Sequence, residues 1–163
     1  MAFFKKIFGS DRHSRVDYYN EGVDLLTLGK FHEALTSFRL ALKDPGTAET
    51  PNIPSTSNFI TVTRYRVNYV RADGRNTPGV DVPYPFDGGM TVTVGDSPVI
   101  AAFTVVRVQA KEEAPLLPLA GFGGALDIST IAEITFFGKD QAGRDVTVSG
   151  KLGINFADWG DPD

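Results

Sequence analysis

His13 and His32 are the chain's two histidines and its natural candidates for proton transfer near neutral pH. No Ser-His-Asp arrangement with usable spacing can be built around either. Cysteine is absent, which removes disulfides, thiolate metal sites and cysteine nucleophiles together. No Gly-rich phosphate loop carries its lysine, and no pair of ligand motifs has zinc spacing. Gly121-Phe122-Gly123-Gly124 is too short for a phosphate cradle and has no helix after it. Acidic residues gather in expected turns (Asp73, Asp81, Asp87, Asp96) and in the tail (Asp158, Asp161, Asp163). Such oxygen-rich loops can hold calcium, but none has the regular alternation of a calcium loop, and solvated turns with an acidic tail are the default. Tyr65, Tyr69, Tyr84 and Phe86 could form a sugar-binding platform, against the simpler reading of core or sheet-face packing. The expectation is a non-enzymatic protein with no cofactor, no metal and no catalytic residues.

Composition agrees with a folded binding or structural protein. Of 163 residues, 42 % are hydrophobic and 22 % charged, a globular profile. The net charge of −4 and the mixed signs argue against a nucleic-acid binder, which carries a basic face. No apolar run approaches the roughly 18–20 residues that span a bilayer. The start, MAFFKKIFGS, lacks the apolar core of a secretory signal, so the chain as written reads as cytoplasmic.

The hydrophobic period changes near residue 50. Val16, Tyr19, Val23 and Leu26 share one face of a first expected helix. Ala34, Leu35, Phe38, Ala41 and Leu42 form a stripe on a second, with Gly29 between them and Pro45 as the stop. Residues 46–58 have linker composition. Beyond them the pattern alternates. FITVTRYRVNYV reads as a strand with Thr63, Tyr65, Val67 and Tyr69 on one side and Arg64 and Arg66 on the other. VDVPYPF reads as a short edge strand because of Pro83 and Pro85. MTVTV is a strand, and VIAAFTVVRV, long and apolar, is expected at the centre of a sheet. IAEITFF and DVTVSGKLGINF complete the set, joined by GKDQAGR. Six or seven such strands favour a sandwich.

Residues 16–45 resemble one tetratricopeptide repeat. Tyr18, Gly22, Gly29, Phe31, Ala34, Phe38, Ala41 and Asp44-Pro45 carry the likeness. Glu21 stands where that family favours a large apolar residue, and the stretch between Ala41 and Asp44 is one residue short. The final hairpin is similar to that of bacterial immunoglobulin-like domains. Asp140-Gln141-Ala142-Gly143-Arg144 occupies its turn, with Arg144 where Asn is typical. That resemblance implies an adhesive, spacer or structural module outside the cytoplasm. The expected fold is therefore α+β by segment. An amphipathic start and helical hairpin (1–45) lead through a linker (46–58) to an all-β immunoglobulin-like sandwich (59–157) and an acidic tail (158–163).

A lone helical hairpin leaves apolar surface that some partner must cover. The leading expectation is a homo-oligomeric structural protein, self-assembling through Tyr19, Val23, Leu26, Leu35, Phe38 and Leu42. The hairpin folding back on its own sandwich is the competing reading. Phe3, Phe4, Ile7 and Phe8 cluster beside Lys5 and Lys6, as a staple onto a neighbouring helix or subunit, or as a weak membrane-surface contact through residues 3–8. The alternative function is an adaptor that captures another protein through the hairpin or the 111–127 loop. Leu116, Leu117, Leu119 and Phe122 of that loop are the candidate contacts, unless the loop is a crossover that tucks its leucines into the core.

Overall fold

A computed structural model describes residues 33–42, 46–121 and 126–158. Within them the chain forms six strands: β1 Glu33–Phe38, β2 Ile60–Val70, β3 Phe86–Val94, β4 Val99–Thr104, β5 Asp127–Asp140 and β6 Asp145–Ala157. Three short 3₁₀ turns lie at Thr56–Asn58, Val108–Glu112 and Leu117–Leu119. All pairings between strands are antiparallel. The order β3-β2-β5-β6 makes a four-stranded sheet, and β1-β4 makes a second, two-stranded one.

This overturns the expected α+β architecture. No α-helix occurs among the described residues, so the second half of the expected helical hairpin is a strand and the tetratricopeptide resemblance fails there. The all-β expectation fits only the part after residue 58. Ala34 and Phe38, the core of the supposed helical stripe, are four residues apart. That separation puts them on one face of a helix and equally on one face of a strand. Leu35 and Thr36 separate the two readings. In β1 Thr36 faces inward with Ala34 and Phe38, and all three are buried, while Leu35 is only half-buried. Short apolar segments are ambiguous between the two periods, and here packing decides. The Phe38 ring meets Phe136 edge-on at 4.9 Å between centroids.

The core lies between the sheets. Tyr65, Phe103 and Phe136 pack on one another at 5.2 to 6.1 Å, a spacing typical of favourable edge-to-face aromatic contacts. Val62, Val67, Val94, Ala132 and Ile134 are among the residues packed around them. Residues 46–58 join β1 to β2, so the segment links two strands of one core.

Two strand expectations also need correction. In β2 the register against β3 and β5 shifts between Val62 and Arg64. This bulge turns Thr63 outward beside Arg64, while Val62, Tyr65, Val67 and Tyr69 face the core. One extra residue reverses the alternation on one side of the irregularity. The apolar run 99–108 is not a central strand of the large sheet. Its first six residues form β4, beside β1, and Val105 and Val106 are buried in a bend. In VDVPYPF only Phe86 belongs to a strand, the start of β3; Pro78 and Val82 form an isolated bridge in the loop before it.

Candidate interaction surface

The two-stranded sheet is too narrow to cover the four-stranded one. Strands β2 and β5 lie under it and are well buried, whereas β6, at the edge, is not. Its inward row (Val146, Val148, Gly150, Leu152, Ile154, Phe156) is half-buried throughout. Val148, Leu152, Ile154 and Phe156 touch the core from the side, and Phe156 stacks edge-on against Tyr69 at 6.0 Å. Its outward row (Asp145, Thr147, Ser149, Lys151, Gly153, Asn155) is exposed.

β6 is 13 residues long and, among the described residues, pairs with β5 alone. One whole side of its backbone therefore offers N–H and C=O groups for a further strand. Natural edges are usually blunted by proline, bulges or free charges. β6 has no proline, and its pairing with β5 is unbroken from Asp127↔Ala157 to Lys139↔Asp145. Its two charges are drawn back onto β5: Lys151 Nζ donates to Glu133 at 2.7 Å, and Asp145 accepts from Lys139 at 2.8 Å. The Lys151 bond holds the Glu133 carboxyl below the usual carboxylate range.

The β5–β6 turn holds this edge in place. The Asp140 carboxylate accepts from the backbone N–H groups of Ala142 and Arg144, both at 2.9 Å, and from Arg144 Nε at 2.6 Å. The Arg144 backbone bond is the main cause that keeps the Asp140 carboxyl acidic. Gly143 supplies the positive φ of 81° that closes the turn.

Several acidic residues elsewhere accept bonds from protein donors. Asp73 accepts from both Arg71 and Arg75, each with a shortest bond of 2.8 Å, and these bonds push its carboxyl far below the ordinary value. Asp81 accepts from the Thr77 backbone at 3.1 Å, Asp87 pairs with Arg66 at 3.0 Å, and Asp158 accepts from Gly121 N at 2.7 Å. These four calcium candidates thus face protein donors, Asp96 is exposed, and no three His, Cys, Asp or Glu side chains come together among the described residues. Asp161 and Asp163 lie outside the described residues. A cleft of about 420 Å3 at the β2 bulge is lined by Thr63, Arg64, Phe137, Lys139 and Asp145, among others. Arg64 sits 4.0 Å over the Phe137 ring at this cleft.

The aromatic set divides. Tyr65 and Tyr69 are core residues, and Phe86 packs edge-on against Tyr65. Burial pushes the Tyr69 hydroxyl to a high pKa, opposed by the Arg107 charge. It stays neutral and donates to the Val105 carbonyl at 2.6 Å. Tyr84 is exposed, so the four do not form one platform.

Of the expected contact residues, Phe38 is fully buried and Leu35 and Leu42 are half-buried. In the 111–127 loop Leu116 is buried, Leu119 packs against the core, and Leu117 is exposed. Phe3, Phe4, Ile7, Phe8, Tyr19, Val23, Leu26 and Phe122 lie outside the described residues. The β6 edge was not among the residues that sequence reasoning selected. The alternation of DVTVSGKLGINF marks a strand, but which of its sides is paired is not legible in that segment.

Comparison of the chain with protein-family models, curated proteins and solved structures gives no match. These comparisons support neither the tetratricopeptide nor the immunoglobulin-like resemblance.

Proposed function

We propose that this chain is a non-enzymatic structural protein that assembles with copies of itself through a sheet edge, in place of the helical contact expected from its sequence. The observation that carries the reading is β6: a 13-residue strand paired on one side only among the described residues, with both of its charges neutralised from β5. Hydrogen bonding along such an edge is a general mode of protein association. The half-buried inward row adds apolar surface that a neighbour would remove from water.

The test is light scattering coupled to size exclusion on the full chain over a wide concentration range. A mass that rises with concentration supports self-assembly. A monomer at every concentration overturns it. The adaptor reading would then lead, with exposed Leu117 (55 % accessible) on the 111–127 loop as its favoured contact.

A further inference from the structure

We propose that β6 pairs with β6 of a second copy, antiparallel, with Gly150 on the two-fold axis, so that the two four-stranded sheets join into one. This rests on the self-assembly reading and specifies its interface.

The other described edges are poorer templates. β3 has nine residues, includes the Gly88-Gly89 pair, and follows Pro83 and Pro85. β1 and β4 have six residues each. β6 is the longest by a clear margin.

Register follows from the alternation. Even-numbered residues of β6 face inward and odd-numbered ones outward. A second β6 keeps inward against inward only if even residues oppose even ones, which places the axis through a residue. An axis at Lys151, the strand midpoint, sets that lysine directly opposite its own copy, a repulsive arrangement. An axis at Leu152 brings Asp158, which holds the backbone of Gly121, against Val146 of the second copy. An axis at Gly150 avoids both. It sets Leu152 opposite Val148 and Ile154 opposite Val146 on the inward side. On the outward side Lys151 faces Ser149, and Asp145 faces Asn155. The seam runs from Asp145 to Asn155, about 35 Å at the usual rise per residue. Gly150 at the centre means that no side chain meets its own copy across the axis.

The absence of cysteine allows a direct test on the full chain. In this register Thr147 opposes Gly153 of the second copy. Both are exposed and outward, and a side-chain carbon at Gly153 meets nothing within 4 Å. Directly opposed residues in an antiparallel pair lie about 4.5–5.5 Å apart, within disulfide range. Within one copy the same two positions are about 20 Å apart along the strand. The double variant Thr147→Cys/Gly153→Cys is oxidised mildly and run without reductant. A covalent dimer is the expected product, and it should be lost in Thr147→Cys/Asn155→Cys, which reports an axis at Lys151. Light scattering on both variants supplies the second readout. Non-covalent dimers of Thr147→Cys/Gly153→Cys that form no disulfide overturn this register and leave self-assembly standing. Monomers at all concentrations overturn both.

Discussion

At the scale of single residues, the structure turns on a few buried groups and one carboxylate. Tyr69 was legible as an inward strand residue, but the partner of its hydroxyl was not. Val105 is far away in sequence, and only the bend after β4 delivers its carbonyl. Replacing Tyr69 by Phe leaves that carbonyl without its donor and should cost about 1–3 kcal/mol in urea unfolding. A loss below a few tenths would mean the bond carries little. Asp140 makes a pH prediction. Its carboxyl is more acidic in the folded chain because the Arg144 backbone N–H, and then the Arg144 guanidinium, stabilise the charge. Above the unfolded value, near 3.9, this contribution is complete. As the pH falls from there to the folded value the unfolded chain holds a proton that the folded chain does not, and the contribution is lost. The melting temperature of the wild-type chain should therefore exceed that of Asp140→Asn above about pH 5 and converge with it as the carboxylate protonates. A gap that stays constant from neutral to acid pH would assign the turn's stability to something other than this charge.

At the scale of elements, β5 and β6 were readable because alternation, turn residues and length agree on each strand. β1 was not, because four-residue spacing of Ala34 and Phe38 fits both periods and the segment is short. Packing against Phe136 settles it, and this can be measured. Phe38→Ala should cost about 3–5 kcal/mol, as for a fully buried aromatic side chain. A cost below about 1 kcal/mol would return Phe38 to a surface role. The β2 bulge was equally hidden, since one inserted residue leaves no compositional mark. Its trace in the structure is Gly138 on β5, where an added side-chain carbon would come within 2.5 Å of the Thr61 carbonyl oxygen. The obstruction is backbone and cannot swing aside. Gly138→Ala should therefore lower the melting temperature by several degrees. An unchanged melting temperature would show that the two strands can separate locally at no cost.

At the scale of the whole molecule, residues 46–58 have the composition of a linker but do not divide the fold. The strand before them covers the centre of the sheet after them. A chain beginning at Asn52 would lose Ala34, Thr36 and Phe38 and bare the Phe103–Phe136 contact. It should bind an apolar dye and unfold with poor cooperativity. Sharp two-state melting of that fragment would show that β1 is dispensable.

The sequence by itself determined the all-β character beyond residue 58, the final hairpin and its turn, and the absence of cysteine chemistry. Each depends on local pattern or simple composition, which a short window contains. The state of residues 33–38, the side to which Thr63 turns, the place of the run 99–108 and the position of β6 at the end of the described sheet were decided only in the tertiary structure. Each depends on which distant segment supplies a neighbour. An edge in particular is a relation between strands, and no property of DVTVSGKLGINF alone records that, among the described residues, a strand pairs with one of its sides and none with the other.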